Sequence, residues 1–179
     1  MPVDLVLTNG KVVTEQAVLT TSVVIDDGKI VGIGEATHYG KADKIVDVHG
    51  NFIVPGGIDP HTHIETYFMG AEVPETWREA TIAAAIGGTT TCLDFAGLEK
   101  PVENDTLLDQ VNRKLQRAKG LAAVDYSVKP MLRNAFYEDR ESLSKIVDRL
   151  VEMGIPGFKV FLAYRELGIY TDDWRLLQV

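Results

Sequence analysis

The sequence predicts an α/β fold: a small antiparallel β module over residues 1–51, followed over residues 52–179 by about four βα units of a parallel (β/α)₈ barrel. Three observations carry that expectation. Short β-type segments broken by Asn9-Gly10 and Asp27-Gly28 fill the first part of the chain. Beyond Gly50, apolar strand segments alternate with segments of helical period. Each helical segment closes on glycine before the next strand begins, which is the rhythm of βα units around a parallel sheet.

In the first part the expected strands are residues 4–8, 11–14, 22–26, 29–34 and 44–48. Asn-Gly and Asp-Gly favour tight hairpin turns because both central residues need positive φ, which Asn, Asp and Gly tolerate. In the second part strands are expected at 52–59, 89–95, 122–130 and 157–164. Helices are expected at 74–86, closed by Gly87-Gly88, at 105–119, closed by Gly120, and at 141–153, closed by Gly154. These glycines supply the left-handed position that ends a helix. A fourth helix begins near Asp172, with Asp172 or Thr171 as its N-cap.

Four strands are half of what a closed barrel of roughly 250 residues requires. A doubly wound open sheet fits the same alternation, but the first βα turn has no Gly-x-Gly-x-x-Gly phosphate loop, which argues against a dinucleotide-binding fold.

An apolar share of 45% with 25% charged residues belongs to a folded globular chain rather than a disordered one. The net charge of −8 would repel a phosphate backbone, so nucleic acid is not an expected partner. No apolar run reaches the roughly 18 residues of a membrane span, and the N-terminus lacks the basic and apolar regions of a secretion signal. The single cysteine, Cys92, reads as a small buried hydrophobe. The expectation is a cytoplasmic protein without membrane contact.

The chemistry gathers at Pro55-Gly56-Gly57-Ile58-Asp59-Pro60-His61-Thr62-His63. Histidines at i and i+2 on extended backbone project to the same side, so His61 and His63 can reach one metal ion. They directly follow an apolar strand, at the end where parallel sheets build their sites. An exposed turn after Pro60, with no ligand role, is the bland alternative. Asp59 reads either as an acceptor that orients a ligand ring or as a strand-end cap, and the pattern leaves both open.

Lys159 is the one amine in the apolar stretch Gly157-Phe158-Lys159-Val160-Phe161-Leu162-Ala163. Burying an unpaired ammonium is costly, so it must snorkel outward, pair with an acid or lose its proton. A neutral amine can take up carbon dioxide, and the resulting carbamate can bridge two cations roughly 3.5–4 Å apart. On pattern alone, pairing or snorkelling ranks above the carbamate.

Together these segments resemble the amidohydrolase superfamily, and within it the dihydropyrimidinase/D-hydantoinase family. The likeness runs through Asp4-Leu5-Val6-Leu7-Thr8-Asn9-Gly10-Lys11, Asp26-Asp27-Gly28-Lys29-Ile30 and the His61-Thr62-His63 segment. It continues through Gly87-Gly88-Thr89-Thr90-Thr91, Asp94-Phe95-Ala96 and Phe158-Lys159-Val160-Phe161-Leu162-Ala163-Tyr164. The resemblance implies the N-terminal part of a TIM barrel preceded by half of a β-sandwich. It further implies two divalent metal ions, zinc first among candidates, with His61 and His63 as ligands of one ion and a carboxylated Lys159 bridging both. Tyr164 then serves as the catalytic hydroxyl that polarises the substrate carbonyl.

The implied reaction is metal-assisted hydrolysis of a cyclic amide or ureide, in a homotetramer or homodimer. By the same resemblance, two further histidines and an aspartate complete such a centre from later strands. The end at Val179, inside the fourth helix, accordingly gives the expectation of an inactive fragment with an exposed sheet edge.

Dihydroorotases place an arginine two residues beyond the second histidine to hold a carboxylate, and Glu65 stands there instead. Ile64, Tyr67, Phe68, Met69 and Phe161 read either as apolar surface for a substrate ring, with Phe68, Met69 and Phe161 as pocket candidates, or as ordinary packing at the barrel mouth, and the pattern leaves both open. Two other readings are a non-catalytic dihydropyrimidinase-related scaffold protein and an allantoinase- or dihydroorotase-like hydrolase.

Overall fold

The computed structural model describes residues 2–99, 102, 105–133 and 140–177, without the side chains of Phe68 and Arg140. The chain divides into two compact units, Met1–Pro55 and Gly56–Val179, each with its own sheet.

In the first unit the long strand β1 (Val3–Val13) is central. It pairs antiparallel with β2 (Val18–Asp26), which pairs antiparallel with β3 (Lys29–Gly34). Asp27 and Gly28, at φ 48° and 67°, make the expected two-residue turn between β2 and β3.

Two features differ from expectation. The module is mixed rather than antiparallel, because β4 (Ala42–Asp47) and β5 (Phe52–Ile53) both run parallel to β1. Asn9-Gly10 makes no hairpin: β1 runs straight through it, and the register against β2 slips between Leu7 and Gly10, with Asn9 at φ 56°. The tolerance for positive φ that suits Asn to a turn serves a β-bulge here. On either side of that bulge β1 changes partner, from β4 along Val3–Thr8 to β5 at Lys11 and Val12.

The second unit holds a parallel sheet in the order β10–β9–β6, made of β6 (Gly57–Thr62), β9 (Thr89–Ala96) and β10 (Asp125–Pro130). Between β6 and α1 (Trp77–Ile86) sits a short ribbon of β7 (Tyr67–Phe68) and β8 (Ala71–Glu72). Helix α2 (Leu107–Ala118) joins β9 to β10, and α3 (Arg140–Glu152) follows β10. Leu107 and Val111 of α2, Val128 of β10, and Leu143 and Leu150 of α3 form the main apolar core. Among the described residues no helix is long and apolar enough to cross a membrane.

The expected strand 52–59 is split between the units. Pro55 has no amide to donate, and a Cβ on Gly56 would fall 2.0 Å from Thr90 Oγ1, so the chain leaves one ladder before it enters the next. The expected strand 157–164 shortens to two isolated bridges, Lys159 with Met131 and Phe161 with Tyr170. With β10 ending at Pro130, little ladder remains beside this segment. Tyr164, at φ 63°, then turns the chain into a 3₁₀ turn, Arg165–Leu167.

Helices α1 and α2 start on reciprocal caps, Thr76 with Glu79 and Thr106 with Asp109. The bonds from Thr76 and Thr106 hold both carboxyls below their ordinary range. A short helix α4 (Asp173–Leu176) is capped by Asp172, whose Oδ1 accepts the Arg175 amide at 2.9 Å, while Thr171 is buried. We expect Thr106→Ala to lower the unfolding free energy by about 1 kcal/mol in urea titration followed by circular dichroism. An unchanged midpoint would show that this cap does not hold the start of α2.

Candidate metal centre

His61 lies near the carboxyl end of β6 and His63 just beyond it. Their Nε2 atoms are 3.2 Å apart and the ring centroids 5.2 Å apart. Both rings gather on Phe95 near the end of β9, with centroids 4.6 Å away for His61 and 5.3 Å for His63. The third member of the group is Lys159, which bridges to Met131 just past β10. Its Nζ stands 5.0 Å from the Phe95 ring and 4.7 Å from that of Phe161. The two imidazoles and the amine therefore share one aromatic platform at the carboxyl ends of the parallel strands.

This arrangement suits a divalent cation. Two nitrogens each about 2.0–2.1 Å from a tetrahedral ion are separated by about 3.3 Å, close to the spacing found. Burial first, then the charges of His61, Lys159 and Lys114, hold His63 below the ordinary histidine value, which favours the neutral imidazole that binds metals. Among the described residues no three His, Cys, Asp or Glu side chains converge on one point. Among the described residues the contacts of the Lys159 amine are the rings of Phe95 and Phe161.

Asp59 is exposed, and its Oδ1 accepts the backbone amide of His61 at 3.0 Å, bracing the strand end through the main chain. Phe161 packs against Phe95, Leu98 and Met131, and its ring lies 5.6 Å from that of Tyr164. Contacts thus run from Lys159 through Phe161 to Tyr164. Met69 is exposed at φ 52°, and the backbone of Phe68 pairs with Ala71. Ile64 is buried against Trp77 and Ala118 and belongs to the core rather than to a substrate wall. Glu65 is committed elsewhere: its Oε1 accepts the Trp77 amide at 3.2 Å, and its Oε2 lies 3.5 Å from Arg117.

The sequence reading missed a buried ion group behind this centre. Lys114 Nζ lies 2.9 Å from Asp94 Oδ2 and 3.5 Å from Glu99 Oε1, and the side chains of Lys114 and Asp94 are wholly buried. Burial raises the Asp94 carboxyl above its ordinary value, and the Lys114 charge opposes that shift. A signal was present: Leu107, Val111, Lys114 and Ala118 are the buried residues of α2, so the lysine occupies a position in the apolar stripe.

No family model matches the chain. Its sequence is 35% identical over 175 residues to a D-hydantoinase of Ralstonia pickettii, covering 98% of this chain and 36% of that protein. The chain is homologous to the D-hydantoinases and dihydropyrimidinases. A D-hydantoinase of Geobacillus stearothermophilus is 36% identical over 168 residues, and dihydropyrimidinase 2 of Caenorhabditis elegans 31% over 170. A solved D-hydantoinase structure matches with a TM-score of 0.82 at 36% identity, over 98% of this chain and 36% of that one. The dihydropyrimidinase of Brevibacillus agri matches with a TM-score of 0.83 at 31% identity, over 97% and 36%. The chain spans about a third of the length of these relatives.

Removing one partner from a buried ion pair strands the other charge, at a cost of about 3–5 kcal/mol. We expect Lys114→Met to lose about that much, and the charge-neutral pair Asp94→Asn/Lys114→Met to recover a large part of it, in a double-mutant cycle by urea unfolding. Strictly additive losses would show that the two groups are not coupled.

Proposed function

We propose that this chain provides the first half of the metal centre of a cyclic-amide hydrolase acting on hydantoin or dihydropyrimidine rings, and that Gly56–Val179 forms the opening βα units of a (β/α)₈ barrel. The observation that carries the reading is the pair of Nε2 atoms 3.2 Å apart on Phe95, with the Lys159 amine on the same ring. Homology to D-hydantoinases and dihydropyrimidinases supports it independently.

His61 and His63 would hold one ion, zinc being the first candidate for imidazole ligands, and Lys159 as a carbamate would hold both. When bound, the ions supply Lewis acidity and lower the pKa of water toward neutrality. Asp59, through the His61 amide, and the β6–β9 ladder brace the strand end that carries the two imidazoles. Lys159 Nζ lies against the rings of Phe95 and Phe161, which hold the side chain beside the two imidazoles. Tyr164, reached through Phe161, would donate its hydroxyl hydrogen to the ring carbonyl oxygen as negative charge builds there. Phe161 and Met69 would face the apolar part of the ring.

The substrate class follows from Glu65. It accepts the Trp77 amide at the start of α1 and pairs with Arg117, and it offers no cation for a substrate carboxylate. An uncharged hydantoin or dihydropyrimidine ring is therefore favoured over dihydroorotate.

Titration with zinc or cobalt should show a site that His61→Ala and His63→Ala each weaken by at least about 100-fold. Equilibration with ¹³C-bicarbonate should give a carbamate carbon resonance that Lys159→Arg abolishes. Zinc binding unaffected by either histidine substitution would overturn the reading. Preferential ring opening of dihydroorotate over hydantoins would overturn the substrate class.

A further inference from the structure

Ile64 follows His63 directly, and charged side chains hold both polar groups of its backbone. Its N–H donates to the two oxygens of Asp94 at 3.3 and 3.2 Å. Its carbonyl accepts from Lys114 Nζ and, at 3.2 Å, from the Thr66 hydroxyl. Lys114 also reaches Glu99 and lies 5.9 Å from the Trp77 ring centroid. The next residue, Glu65, stands at φ 47°, a left-handed conformation that a non-glycine residue keeps only when its surroundings impose it.

Stability does not account for this group. Replacing a buried ion pair with well-packed apolar residues of similar volume is often neutral or stabilising. With its carboxylate partners replaced as well, a leucine at position 114 would continue the stripe of Leu107, Val111 and Ala118. What the charges add is direction: a carboxylate and an ammonium, bonded to each other, fix the orientation of the Ile64 backbone from both sides. That backbone continues from His63, whose ring nitrogen must meet that of His61.

We propose that Lys114, acting with Asp94, is a positioning residue that locks the Ile64 backbone and thereby sets the His63 imidazole against His61. The inference rests on the metal reading above, since the positioned ring is a ligand. Lys114 belongs to α2, so the sense of the device is that docking of α2 completes the ligand geometry on β6. Outer partners of this kind typically change metal affinity by about 10- to 100-fold.

The test uses the whole chain in two variants, Lys114→Met and the charge-neutral Asp94→Asn/Lys114→Met, with two readouts. One is the nuclear Overhauser contact between the ring protons of His61 and His63 in the metal-free protein. The other is affinity for Co²⁺ together with the cobalt d–d absorption. We expect the ring contact to be at least halved and Co²⁺ affinity to fall about 10- to 100-fold, with an altered d–d band, in variants that retain the wild-type circular dichroism spectrum.

Should Lys114→Met not fold, the double variant decides. Failure of both to fold would make the lysine a requirement of folding and overturn the positioning role. Wild-type values of ring contact and cobalt affinity in a folded variant would overturn it as well, as would absence of the ring contact in the wild type. A wild-type chain that binds no Co²⁺ would sink the metal reading alone, leaving the ring contact to judge the clamp.

Discussion

Parallel strands cannot be joined by a tight turn, so β6 and β9 are necessarily separated by a crossover, and their ladder sets two carboxyl ends side by side. The register, with Asp59 opposite Cys92 and Thr62 opposite Asp94, then decides which side chains meet. His61 and His63, flanking Thr62, come to lie on Phe95, while Asp94 reaches the Ile64 amide. A slip of one residue would turn every side chain of β6 to the opposite face. The imidazole pair would separate from Phe95, and the buried carboxylate would lose its backbone partner. Gly56, packed where any Cβ would strike Thr90, helps to fix the start of that register.

Much of this was legible because the signals are local. The glycines after α1 and α2 mark their ends, whereas the expected starts at 74 and 105 fall short of the true ones because the caps at Thr76 and Thr106 went unread. His-x-His at a strand end needs only strand geometry to be read as a convergent pair. The misreadings concern what the partner strand decides. Asn9-Gly10 carries the same turn propensity as Asp27-Gly28, yet β4 and β5 lie along both halves of β1, and the dipeptide becomes a bulge. The apolar run from Phe52 onward reads as one strand, although Pro55 and the close approach at Gly56 break it into two. Lys114 was missed because a lysine at a stripe position is ordinarily read as solvated at its tip, and only tertiary contact with Asp94 and Glu99 makes it a buried ion.

The centre and the charges behind it form two environments at one sheet end. At the front, Phe95 and Phe161 surround the amine of Lys159, and His63 is pushed toward its neutral form. Behind, Asp94 and Lys114 are sealed from water and satisfied by each other and by Ile64. Neighbouring residues of β9 point to opposite faces, so Asp94 and Phe95 serve these two environments from one strand. The hydrolase reading draws on both: the imidazole pair at the front, and a mount for it behind.

In the hydrolase reading His61 and His63 present their Nε2 atoms to a single cation. Anomalous diffraction at the zinc edge from crystals of the zinc-loaded chain tests it most directly. We expect a peak about 2.0–2.1 Å from both Nε2 atoms. A peak bound to only one of these imidazoles, or to neither, would contradict it.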